Sequence, residues 1–158
     1  MSQKIELTLP ADFKFSPLLR EVSGRIFDDL GFTEAWSGRL KLVLEELFNN
    51  AVEYGSNEIS QVYITFLFDE QELSFQVEDE GTGPKKIYPL ELHAIIKKNR
   101  EELDANDQNK DGGRGLALIS RLWADRLSVE NSSHGGLLLG FRKEVVRKQI
   151  APLDADKS

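Results

Sequence analysis

Three short groups in this 158-residue chain combine residue types and spacings that could do chemistry. The first is Glu45-Glu46-Leu47-Phe48-Asn49-Asn50, two Glu/Asn pairs at i, i+4 on a predicted helix. On an ideal wheel of about 100° per residue, Leu40, Val43, Leu44, Leu47, Ala51 and Tyr54 share one arc. That arc spans roughly 100°, the width of a core-facing stripe. Asn50 lies about 20° and Glu46 about 60° outside Val43, whereas Glu45 and Asn49 point to the far side, toward water. Only Glu46/Asn50 therefore borders the core. An amide and a carboxylate there must be hydrogen-bonded, solvated in a cleft or bound to a cation. Mg²⁺ takes hard oxygen ligands, few of them from protein, and the Asn50 amide oxygen suits it. Glu46, one turn earlier, could orient or deprotonate a hydroxyl or water. The plainer alternative is a solvated polar helix edge.

The second group, Asp79-Glu80-Gly81-Thr82-Gly83, follows a predicted strand. A carboxylate at a strand end can accept from an exocyclic amino group, as carboxylates do from cytosine. Gly81 and Gly83 would let the backbone approach a flat ring without interference from Cβ. A plain turn is the alternative. The third, Gly112-Gly113-Arg114-Gly115-Leu116, opens a predicted helix, whose free N–H groups and positive dipole end make a phosphate site. Arg114 could add charge there or face solvent, and the glycines could simply punctuate a loop. A P-loop is excluded, because no Lys-Ser/Thr pair follows the last glycine.

The elements that must position these groups follow from periodicity. Lys4 to Leu9 alternates as a first strand ended by Pro10, and Ser16-Pro17 reads as a helix start with a capping hydroxyl. Leu19, Val22, Ile26, Phe27 and Leu30 keep helical spacing up to Gly31, and Thr33 caps a second helix running to about Tyr54, closed by Gly55. Gln61 to Phe68 and Glu72 to Val77 read as strands joined by Asp69-Glu70-Gln71. Leu90 to Leu103 is helix-like, Asp104 to Asp111 a polar run, and Leu116 to Trp123 helical again. Leu127 to Glu130 and Leu137 to Phe141 form a last hairpin across Ser132 to Gly136. The order predicts an α+β two-layer sandwich, a mixed and mostly antiparallel sheet with helices on one face. One domain over 1–147 and a frayed tail over 148–158 are expected.

Composition bounds the partners. A net charge of −7 repels phosphate backbones, so direct nucleic-acid binding is not expected and protein partners are. With no cysteine, disulfides and thiolate metal sites are excluded, and the chain fits a reducing, cytoplasmic setting. No apolar run is long enough to cross a bilayer, and no secretory leader is expected. Two histidines give little basis for zinc: His134 reads as exposed in a turn, and His93 as a surface residue or, alternatively, a nucleotide contact. Trp36 and Trp123 read as core or interface aromatics.

In order, E-x-x-x-N on a helix, D-x-G-x-G at a strand end, a loop, then G-x-G-L opening a helix resembles the three boxes of the Bergerat (GHKL) ATP-binding superfamily. The resemblance covers nearly the whole chain. A bare domain that begins with a strand and has no phosphoacceptor-histidine helix is similar, within it, to the anti-sigma-factor serine kinases. The resemblance implies ATP in the helix-side cleft, Asn50 on Mg²⁺, Asp79 on the adenine amine and Glu46 as general base. It also implies Gly113 and Gly115 at the phosphates, with residues 84–112 as an ATP lid. Such kinases typically phosphorylate a serine on a small anti-anti-sigma (STAS) partner, and many sequester a sigma factor. Homodimerisation is common among them. The chain departs from the family in a long lid rich in both signs of charge, in Tyr54 where histidine is frequent, and in Gly135-Gly136-Leu137 where Gly-Thr-Thr is frequent. The leading expectation is an ATP-dependent protein serine/threonine kinase in a partner-switching module. A nucleotide-binding anti-sigma or switch module without useful kinase activity is the second, favoured by the last departure and opposed by Glu46. An ATPase core from a larger machine, or a histidine kinase's catalytic domain, is the third.

Overall fold

Period-2 burial builds the sheet. The computed structural model describes residues 2–104, 115–117, 119 and 126–145. Strand β1 (Gln3–Pro10) turns one face inward through Ile5, Leu7 and Leu9, which pair across to Phe66, Ile64 and Val62 of β2 (Gln61–Phe68). Strand β3 (Glu72–Glu78) sets Phe75 opposite Phe66 and Val77 opposite Ile64. Strands β4 (Arg126–Asn131) and β5 (Leu137–Glu144) close the last hairpin, with Leu139 between Val77 and Val129 and Phe141 beside Phe75. The strand order is β1-β2-β3-β5-β4, and all four pairings are antiparallel. Same-face apolar pairs at each register position fix the registers, since a one-residue slip would turn every one of them outward.

Helices α1 (Ser16–Asp29), α2 (Glu34–Gly55) and α3 (Pro89–Asp104) cover that face. Phe27 of α1 is fully buried against the rings of Phe32, Phe66 and Phe75. Leu40, Val43, Leu44, Leu47 and Ala51 of α2 are buried as the wheel requires, and so are Ser37, Phe48 and Val52. Leu92 and Ile96 of α3, and the helical residues Leu116, Ala117 and Ile119, complete the core. Trp36 packs against the core edge, with the Arg39 guanidinium and the Lys143 ammonium each near its ring. Trp123 lies outside the described residues, as do residues 105–114 and 146–158. No helix among the described residues is long and apolar enough to cross a membrane.

Three local expectations are corrected. Ser16 does not cap α1: a 3₁₀ turn at Phe13–Phe15 runs directly into the helix, and the cap moves upstream to Asp12, whose side chain accepts from Lys14 N. The Ser16 hydroxyl instead donates to Asn49 Oδ1 (2.9 Å). Glu45 and Asn49 do not point to water. They continue a stripe on α2 that faces antiparallel α1: Ser37 on Asp28 (2.9 Å), the Lys41 stem over Gly24, Glu45 on Arg20 (Nε–Oε2 3.0 Å) and Asn49 on Ser16. Both helices advance by four residues at each contact, so one polar seam joins them. Tyr54, placed in the core arc, is 42% exposed, because the last turn of α2 flanks a cavity.

Thr33 does cap α2, its Oγ1 accepting from Trp36 N at 3.3 Å. Thr33→Ala is therefore expected to cost about 1 kcal/mol, read as a lowered denaturant midpoint at unchanged slope. Unchanged stability would mean that water replaces the hydroxyl at no cost.

Candidate functional site

Where the last turn of α2, the C-terminal end of β3 and the β4–β5 turn meet, a cavity of about 370 Å³ opens. Its polar wall comes from Asn50 and Asp79, and its apolar wall from Leu92, Ile95, Leu116, Leu137 and Leu139. An apolar slot with a few convergent polar groups is the usual form of a small-molecule site.

Asp79 lines the cavity and is only 6% exposed. Its N–H donates to Leu137 O (3.1 Å), and its Oδ1 accepts from Gly81 N (2.9 Å) and Leu137 N (3.2 Å). Among the described residues no donor reaches Oδ2, which leaves one carboxylate oxygen to accept from a bound molecule. Burial pushes the Asp79 carboxyl above the ordinary carboxylate range, and the two backbone N–H groups pull partly back. Side chains have been cleared around it: a Cβ on Gly55 or on Gly136 would overlap the carboxylate.

The D-x-G-x-G glycines have distinct tasks. Gly81 lines the cavity at φ 68°, where a Cβ would also meet Gly135 O at 2.7 Å. Gly83 is not part of the cavity wall. A Cβ there would overlap the Tyr54 carbonyl oxygen, so this glycine seats the loop beneath the end of α2. Thr82 N–H donates to Gly55 O (3.1 Å) and anchors the same junction.

Glu46 and Asn50 stand one turn apart on α2, with Asn50 Nδ2 donating to Glu46 Oε1 at 3.4 Å. Both are half-buried, as expected of a helix edge. Burial pushes the Glu46 carboxyl up, the Asn50 amide lowers it in part, and the charges of Glu53 and Glu45 raise it further. Gly115, the first described residue of a helical segment, lies directly against this carboxylate: a Cβ on it would overlap Glu46 Oε1. The helix edge, the strand end and the glycine-led segment thus converge, with Asn50, Asp79, Gly81 and Leu116 on one cavity and Glu46 between Asn50 and Gly115. Gly112, Gly113 and Arg114 lie outside the described residues.

Among the described residues no group of three or more acidic or histidine side chains could hold a metal by itself. The donors present fit Mg²⁺ held in part by phosphates, because no donor among the described residues takes up Asn50 Oδ1. His93 faces a separate depression with Ile96, Lys97 and Arg100 on α3, away from this cavity. His134 is exposed, as expected, and additionally stacks on Tyr63.

Sequence reasoning placed Lys85, Lys86 and Ile87 only within the 84–112 lid, whereas they line the cavity, and it missed that Gly136 packs against Asp79 and that Leu137 bonds it. A lysine pair one proline beyond D-x-G-x-G in an acidic chain was a usable signal for the first group. The Gly135-Gly136 pair in a hairpin turn was one for the second.

A histidine kinase-like ATPase domain model matches residues 9–143. Over 154 residues the chain is 26% identical to the serine-protein kinase RsbW of Halalkalibacterium halodurans, covering 94% of this chain and 87% of that protein. The serine-protein kinase RsbW of Bacillus mycoides is 25% identical over 155 residues, with 94% and 89% covered. A hybrid signal transduction histidine kinase of Dictyostelium discoideum is 30% identical over 111 residues, 61% of this chain and 9% of that protein.

Proposed function

Because this chain belongs to the histidine kinase-like ATPase family, we propose that it is an ATP-dependent protein serine kinase of the RsbW kind. It phosphorylates a small anti-anti-sigma-like partner and switches between that partner and a sigma factor. The observation that carries the reading is that Asn50 and Asp79 line one cavity while Glu46 stands beside it, between Asn50 and Gly115.

Adenine enters the apolar slot, its amino group donating to Asp79 Oδ2 while Leu116 and Leu139 cover its faces. The slot orders the base so that the triphosphate runs toward Asn50 and the helical segment of Gly115. Backbone N–H groups at that helix start take the phosphate oxygens. Asn50 would hold Mg²⁺ through its amide oxygen, and the ion would supply charge neutralisation to the phosphates. Glu46 accepts the proton of the partner's serine hydroxyl as its oxygen attacks the γ-phosphorus. The bond from that phosphorus to the β,γ-bridging oxygen breaks and ADP leaves. A base needs a proton affinity matched to working pH, and the raised Glu46 carboxyl supports that role.

The hairpin without hydroxyls does not favour a pure nucleotide binder. Gly136 and Leu137 act on Asp79 through backbone atoms, which a Gly-Gly-Leu run supplies.

Incubation with radiolabelled ATP and an anti-anti-sigma-like protein is expected to label a partner serine, whereas ATP binding without transfer would favour the switch-module reading. The pH profile carries a second expectation. Glu46 must be ionised to act, and burial raises its pKa, so the rate should fall on acidification along a limb above the ordinary glutamate value of about 4.3. A rate unchanged down to that value would remove Glu46 from the proton transfer.

A further inference from the structure

The turn that holds Asp79 is itself pinned from two sides. Ser132 Oγ donates to Glu78 Oε1 on β3 (2.9 Å) and accepts from His134 N (2.9 Å). The turn closes on itself through Ser132 N to Gly136 O (2.8 Å) and Gly135 N to Ser132 O (3.1 Å). On its other side the His134 imidazole lies flat on the Tyr63 ring of β2, with centroids 3.6 Å apart and planes 5° apart. The Tyr63 hydroxyl donates to Glu80 Oε2 (3.1 Å), which also accepts from Gln61 N (3.3 Å). Glu80 stands between Asp79 and Gly81. One tyrosine therefore grips both backbone segments that hold the Asp79 carboxylate: the hairpin turn through its ring and the D-x-G-x-G loop through its hydroxyl.

This arrangement is uneconomical unless the geometry of the turn matters. Gly135 sits at φ 110° and Gly81 at φ 68°, and glycine gives both segments wide conformational freedom in isolation. A Cβ on Gly135 would come within 3.0 Å of Glu80 O, so the two segments are already in close contact. Leu137 supplies both an acceptor for the Asp79 N–H and a donor for its carboxylate, three residues beyond His134. Without the ring stack, a turn this rich in glycine would sample other conformations, and the two backbone bonds to Oδ1 would open with it. Neither Tyr63 nor His134 lines the cavity, so neither touches a bound molecule there.

We infer that Tyr63 and His134 are positioning residues: their stacked rings lock the 132–136 turn, so that Gly136 and Leu137 keep Asp79 aligned to receive a nucleobase. The ligand half of this inference rests on the nucleotide reading above, and the backbone half does not.

The test has two readouts. Hydrogen exchange in the nucleotide-free protein reports on the Gly81 and Leu137 amides, both bonded to Asp79 Oδ1. Calorimetry with ADP reports on binding. His134→Ala is expected to speed exchange at both amides by about 3- to 10-fold, the range for loss of one aromatic pair, and to weaken ADP by a similar factor. Exchange at Phe66 and Phe75 should be unchanged, because His134 is exposed and its truncation leaves the core intact. His134→Phe keeps a flat ring and should restore both values. Tyr63→Phe keeps the stack and loses the hydroxyl, so it should speed Gly81 more than Leu137. Wild-type exchange at Leu137 in His134→Ala, or failure of phenylalanine to rescue, overturns the inference. If the wild-type protein binds no ADP, the nucleotide reading falls, while the exchange result still decides the clamp.

Discussion

Glu46→Gln is expected to lower phosphoryl transfer by about 10²- to 10⁴-fold while ATP affinity stays within about twofold. Glutamine matches glutamate in shape, keeps an oxygen for the Asn50 amide, and leaves the close approach of Gly115 undisturbed. What it removes is the proton acceptor. A loss confined to the rate in single-turnover assays, with calorimetric affinity preserved, separates a base from a binding residue. Retained transfer would eliminate the base assignment, and lost binding would make Glu46 a ligand contact instead.

Asp79→Asn is expected to weaken ATP by at least about 100-fold. Asparagine can use its oxygen for the Gly81 and Leu137 amides, as Oδ1 does now. Its NH₂ then occupies the position of Oδ2 and meets the adenine amine donor to donor, leaving both unpaired. Stability should move the other way. Burial raises the Asp79 carboxyl, so the folded state holds more protons than the unfolded one between the ordinary and the raised pKa. By linkage, that contribution is full below the ordinary value and is lost as pH rises through the folded pKa. At neutral pH the wild type bears the cost of a buried charge, which asparagine removes. The variant should therefore melt no lower than wild type while binding far worse, and its stability should vary less on mild acidification. A variant that loses binding only because it unfolds would remove Asp79 from recognition.

The strands and their inward face were legible because alternation at β2 and β3 is carried by Val62, Ile64, Phe66, Leu73, Phe75 and Val77, which admit one facing only. The choice between two Glu/Asn pairs was also legible, since 100° per residue puts Glu46 and Asn50 nearer the core arc. The employment of the other pair was not. Glu45 and Asn49 look solvent-facing on a wheel drawn for α2 alone, and only the arrival of antiparallel α1 gives them Arg20 and Ser16. Ser16 was misread for the same reason, because its hydroxyl has a tertiary partner in Asn49. Gly83 and Gly136 show the limit from another side. Their glycines answer to Tyr54 and Asp79 across gaps in sequence, and local φ preference says nothing of either partner.

The most direct test is a calorimetric titration of the full chain with ATP and ADP, each with Mg²⁺ and with EDTA, and with GTP as control. One saturable site is expected for both adenine nucleotides, weakened when Mg²⁺ is removed, with GTP giving no comparable heat because its carbonyl meets the Asp79 carboxylate. Absence of a saturable ATP isotherm, or equal binding of GTP, would contradict the account.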